Sequence, residues 1–144
     1  MGQVLPVKFI EQGAATDRSG VFEGEYTIPS GVTSRLVKAI CKLRASRQEF
    51  VPPDLLGDPA WDILLHLYAA HVEQRRMSIG GVTAMTGVSG TTILRWLTKL
   101  AEADLVTRSA DRTDGRRVFV SLSPNGILAM NRYFAHTGAW TTFV

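Results

Sequence analysis

Residues 89–126 read SGTTILRWLTKLAEADLVTRSADRTDGRRVFVSLSPNG, and the order of patterns in that stretch decides the fold. An amphipathic helix comes first, then a short strand, a basic turn around Asp-Gly, an alternating strand and the start of another helix. With residues about 100° apart around a helix axis, Ile93, Trp96, Leu97 and Leu100 form one apolar stripe. The opposite side carries Thr91, Thr92, Arg95, Thr98 and Lys99, with no carboxylate until Glu102. Short hydroxyls and cations without acids suit a phosphate-lined groove. Ser89 stands at the N-cap, where its hydroxyl can accept from first-turn amides, and the amides left free there can bind a phosphate. The helix is expected to enter DNA amino end first, as a helix-turn-helix recognition helix does. Any surface helix is polar on one side, however, so this helix does not decide the matter alone.

Its neighbours add weight. Ile79–Thr86 (IGGVTAMT) reads as a short helix presenting Ile79, Val82 and Met85 to a core, and Gly87-Val88 turns the chain into Ser89. Short helix, glycine turn and second helix make a helix-turn-helix over about 79–103. Gly80 and Gly81 each weaken the first helix by up to about 1 kcal/mol relative to Ala, so packing must hold it. Residues 105–110 and 117–122 then read as two strands of a wing, the second alternating Val118, Val120 and Leu122 against Arg117, Phe119 and Ser121. The loop 111–115 ends in Asp-Gly, a strong hairpin signal. It holds Arg112 and runs into Arg116 and Arg117. A guanidinium on a wing tip can enter a minor groove and read its width and negative potential. The arginines could instead pair with Asp111 and Asp114, and both readings hold together if Asp114 orients an arginine.

Residues 30–126 resemble the winged-helix transcription regulators of the multiple antibiotic resistance (MarR) type. The resemblance is carried by Asp111-Arg-Thr-Asp-Gly-Arg116, then Val-Phe-Val-Ser-Leu122 and Ser-Pro-Asn-Gly126, similar to the family's acidic loop, arginine, strand and "LT-x-x-G". Residues 100–108, ending Leu-Val-x-Arg, match its helix exit and first wing strand. The resemblance implies Arg116 as the minor-groove residue, and Ser89, Thr91, Thr92 and Arg95 as major-groove and phosphate contacts. Lys99 and Arg112 complete the candidate DNA-binding set. The chain departs from the pattern at Asp104, where Gly is usual before Leu-Val, at Trp96, where an aliphatic is usual, and in having 18 residues after Gly126, where the family commonly places dimerisation helices.

Composition agrees with this reading. The 144 residues fit one domain, and 45% hydrophobic content suffices for one core. Net charge is only +3, but residues 75–117 hold eight basic and four acidic side chains, so the local excess of four exceeds that of the whole chain. The amino end lacks a signal-like apolar run, Pro6 stands where a myristoylation motif wants Ser or Thr, and no stretch reaches the roughly 18 apolar residues of a membrane helix. A cytoplasmic protein is expected. There is no phosphate loop, His-Glu-x-x-His or nucleophile elbow, so no enzyme is expected. His66, His71 and His136 are scattered without a cysteine partner, so neither metal nor cofactor is expected. The single cysteine, Cys41, forms no internal disulfide. It could be a redox switch, but free cysteine is among the most buried residue types, which favours packing in a helix over about 32–47.

Elsewhere, residues 1–29 read as an extended or partly disordered arm. Asp58-Pro59 opens a helix with Trp61, Leu64, Leu65, Tyr68 and Val72 at helical spacing. A last helix from Asn125 to His136 or beyond carries Ile127, Met130, Tyr133 and Phe134 on one side, followed by a tail with Trp140 and Phe143. The fold expected is mainly α with a small β-wing (α+β), with residues 30–144 a winged helix-turn-helix and its flanking dimerisation helices. The function expected is a regulator of transcription, most readily a repressor. It would bind an inverted repeat of double-stranded DNA as a homodimer and be released by a small aromatic effector whose site residues stay unassigned. The alternatives are a ligand-independent DNA binder or a winged-helix protein-interaction module.

Overall fold

A computed structural model describes residues 23–137. Over that span the elements run α1 (Ser34–Ser46), α2 (Pro59–Val72), β1 (Met77–Ser78), α3 (Ile79–Thr86), α4 (Gly90–Glu102), β2 (Val106–Ala110), β3 (Val118–Leu122) and α5 (Pro124–Thr137). Single 3-10 turns lie at Glu23–Tyr26, Arg47–Glu49 and Pro53–Leu55.

Helix α2 is the hub. Ile63, Leu64, Leu65, Leu67, Tyr68, Ala69 and Ala70 are buried, so the apolar surface runs nearly all the way round rather than along one stripe. The reason is that α1, α3, α4, α5 and β3 all pack on it, and a helix covered from every side is apolar on every side. Trp61 and Val72, expected in the stripe, are only half-buried at its two ends. Asp58 holds the N-cap position ahead of Pro59, as expected, but makes no capping bond. Its carboxylate instead lies 3.5 Å from Arg44, whose Nε donates to Asp62 at 2.7 Å, fastening α1 to α2. At the other end Gln74 takes φ 56°, with Gln74 N–H on His71 O and Arg75 N–H on Ala70 O, a Schellman closure made without glycine.

On α1, Thr33 caps the helix by accepting from Leu36 N–H at 3.2 Å. Val37 and Cys41 point inward. Burial first, and Asp62 second, push the Cys41 thiol up to about 11. An inaccessible, protonated thiol is a poor oxidant target, which supports the packing reading.

The wing gains a strand that the sequence did not reveal. β1 pairs antiparallel with β3, and β3 with β2, in the order β1-β3-β2, with Met77 opposite Val120 and Val106 opposite Leu122. Two residues are too few to show a period. Both wing strands are one residue shorter at the start than expected, since Leu105 and Arg117 lie outside the ladder.

Helix α5 closes the core with Leu128, Met130 and Phe134. Of its expected stripe, Ile127 is half-buried and Tyr133 is 40% exposed, standing edge-on to Trp61 at 4.8 Å. Burial of Asn131 explains the shift: Tyr68 Oη donates to Asn131 Oδ1 at 2.7 Å, and Asn131 Nδ2 donates to Glu25 O at 2.9 Å. Arg132 also holds the Glu25 carboxylate. The carboxyl end of the expected free arm is therefore docked on α5. The rest of the arm, and the tail with Trp140 and Phe143, lie outside the described residues. Among the described residues no helix is long and apolar enough to cross a membrane.

Candidate nucleic-acid interface

Helix α4 turns Ile93, Leu97 and Leu100 into the core. Thr91, Arg95, Thr98 and Lys99 are exposed, as the periodicity requires. Three expectations change. Trp96 is half-buried rather than a full core residue, and the Lys99 ammonium sits 4.7 Å from its ring centroid. Ser89 occupies the N-cap but makes no capping bond to an amide; its hydroxyl donates to Thr92 Oγ1 at 2.9 Å. First-turn amides are thus left without a side-chain cap, the condition under which a helix end accepts a phosphate. Thr92 is half-buried and engaged by Ser89, so it is a lesser candidate than Thr91. Leu94, placed on neither face by the sequence reading, is 46% exposed.

The turn into α4 is set by Gly87, whose φ of 69° lets its N–H reach Thr83 O at 3.0 Å. In α3 Val82 takes the core contact and Ile79 is half-buried. Met85, expected inside, is 46% exposed, because it falls beyond the part of this eight-residue helix that meets the core. Ser78 caps α3 by accepting from Gly81 N–H.

Asp104, the departure from glycine, takes φ 57° and completes a second Schellman closure, with its N–H on Ala101 O and Leu105 N–H on Leu100 O. Its carboxylate accepts from Asn125 Nδ2, which helps offset the cost of that backbone in a non-glycine residue. Ser123 joins the same corner, its hydroxyl donating to Asp104 O and accepting from Gly126 N–H. Gly126 is obligatory here, since a Cβ would overlap the Leu105 carbonyl oxygen.

The wing loop is templated by its acids. Asp111 Oδ1 accepts from Thr113 N–H and Oγ1 at 3.0 and 2.8 Å, bonds that hold its carboxyl below the usual range. Asp114 Oδ1 accepts from Arg116 N–H, and Asp114 O from Arg117 N–H. Gly115 does not take positive φ, so the tip is not the mirror-image two-residue turn that Asp-Gly suggests. Arg116 projects with its side chain 98% exposed and its Nε 3.6 Å from Asp114. Asp114 lies near enough to orient the arginine while leaving its side chain exposed. Arg112 and Arg117 are also exposed. A groove of about 490 Å³ brings Arg116 and Arg117 beside Ser78, Ile79 and Gly80 at the start of α3.

On the far side, Arg76 lies 4.1 Å from the Phe119 ring centroid in a cavity of about 600 Å³ that Tyr26, His71 and Arg75 also line. Burial lowers both His66 and His71. Among the described residues no cluster of ligating side chains could hold a metal ion.

A short α3, a glycine turn, a cation-bearing α4 and a three-stranded wing define a winged-helix fold. Residues 56–126 match the family described as the winged helix DNA-binding domain. S. aureus MepR in its DNA-binding conformation is similar over 76% of this chain and 77% of its own, at 20% identity and a TM-score of 0.52. AbsC, a MarR family transcriptional regulator from Streptomyces coelicolor, shares 22% identity over 74% of this chain and 66% of its own, with a TM-score of 0.49. A mutant of E. coli MarR complexed with operator DNA shares 18% identity over 69% of this chain and 63% of its own, with a TM-score of 0.44. No curated protein matches the sequence.

Proposed function

We propose that this chain regulates transcription, as a repressor, by binding a short inverted repeat as a homodimer. The observation that carries the reading is the exposed face of α4, where Thr91, Arg95, Thr98 and Lys99 stand free of acids ahead of Glu102, together with the nearly fully exposed Arg116 on the wing. Thr91 and Arg95 face base edges and phosphates in the major groove, Lys99 and the first-turn amides take phosphates, and Arg116 with Arg112 follows the minor groove. MepR, seen in a DNA-binding conformation, supports the same direction for this chain.

The dimer is supported by the opposite corner. Leu36 and Ile40 on α1 are half-buried, Leu43 on the same stripe is 73% exposed, and Phe50 and Leu55 in the following loop are 82% and 72% exposed. Water-facing apolar groups of that size within one short stretch fit a surface covered by a second copy. Two copies would set their recognition helices about one DNA turn apart. The cavity lined by Arg75, Arg76 and Phe119 has room for a small anionic aromatic effector, whose binding would shift the population toward helix spacings that mismatch the grooves. Titration of a selected inverted repeat, with the complex mass read by light scattering, tests the reading. Two chains per duplex support it; one chain per half-site without cooperativity contradicts the dimer.

A further inference from the structure

Leu94 breaks the chemistry of the face it stands on. At about 100° per residue it lies about 40° from Thr98, 60° from Thr91 and 100° from Arg95, in the first two turns that a recognition helix offers to bases. The buried stripe of α4 does not need it: Ile93 and Leu97 are 0% exposed, whereas Leu94 is 46% exposed. Its backbone carbonyl is occupied by Thr98 Oγ1 at 3.0 Å, so only the isobutyl group is offered outward. Gly90, one turn earlier on the same flank, has open space where a Cβ would stand, so nothing from the first turn screens the leucine.

In a major groove the one apolar group presented at a base edge is the C5-methyl of thymine, which has no counterpart on unmethylated cytosine. We propose that Leu94 is a specificity-determining residue that reads the 5-methyl group of a thymine in each half-site, beside the position read by Arg95. The inference rests on the DNA-binding reading and adds to it a base identity. The cations and hydroxyls around Leu94 bring a duplex to this face, and the methyl is the duplex group whose burial a leucine rewards.

The test uses the duplex recovered from a random pool by the full-length chain, with each thymine replaced singly by deoxyuridine, which removes only the methyl. One position per half-site is expected to lose about 3- to 5-fold in affinity, the size of one buried methyl group. Leu94→Ala, at an exposed site and checked by its melting curve, should bind thymine and deoxyuridine duplexes equally at that position. Equal affinity of the wild-type chain for every deoxyuridine duplex overturns the inference while leaving DNA binding intact. An unchanged deoxyuridine penalty in Leu94→Ala overturns it too, because another group would then be reading the methyl. If no sequence is enriched from the pool, the DNA-binding reading itself falls, and this assignment with it.

Discussion

The outward groups on the α4 and wing side include Thr91, Arg95, Thr98, Lys99, Arg112 and Arg116, with Leu94 among them. Along α1 and the loop after it, Leu43, Phe50 and Leu55 are exposed among charged neighbours such as Lys38, Lys42 and Glu49. Both regions are tied to the same central helix α2, yet the α1 side exposes several large apolar groups among its charges, whereas among the described residues of α4 and the wing Leu94 is the only large apolar group so exposed. An exposed cation costs nothing in water and gains from a polyanion, whereas exposed hydrocarbon is penalised until something covers it. The proposed function assigns the two sides different partners: nucleic acid for the wing side and a second copy for the α1 corner.

Gly126 seats the start of α5 against the exit of α4. Gly126→Ala should cost on the order of 3 kcal/mol or more, because the added methyl meets backbone that cannot give way; thermal unfolding would show it. A melting temperature within a degree of wild type would mean that the corner is looser than described. Replacing Phe50 and Leu55 together by Glu should weaken dimerisation by about 2–4 kcal/mol, leave the melting curve of the monomer intact, and be visible by sedimentation. Arg95→Ala should lose about 1–3 kcal/mol of discrimination between the selected duplex and a mismatch. Arg116→Ala should weaken all duplexes alike and lower the salt slope by about one. Equal losses on every sequence for both variants would make Arg95 a phosphate contact only.

The smallest effect is in pH. Burial lowers the His66 value in the fold, so the unfolded chain binds more protons as pH drops below 6.5. Stability should therefore fall on acidification from neutral through that value, and His66→Gln should flatten the slope of melting temperature against pH. A slope unchanged by that substitution would assign the effect to other groups.

Helix α4, the wing and the Asp58-Pro59 start were legible because each has a period or a punctuating dipeptide longer than the noise. β1 was not, since two residues carry no period. Nor were the all-round burial of α2 and the exposure of Met85, which depend on what packs against each helix. Of the candidate site, Arg95, Arg112 and Arg116 stand exposed where the pattern put them. The Ser89–Thr92 bond and the Lys99–Trp96 contact, between side chains one turn apart, do not show in the pattern. Leu94 was readable in principle, because the same helical wheel that groups Thr91 with Thr98 places a leucine beside them.

The most direct measurement is selection of bound sequences from a random duplex pool at near-physiological salt. An enriched inverted repeat with half-sites about one helical turn apart is the result expected of a dimeric winged helix. Weak, salt-sensitive binding with no enriched sequence would contradict it.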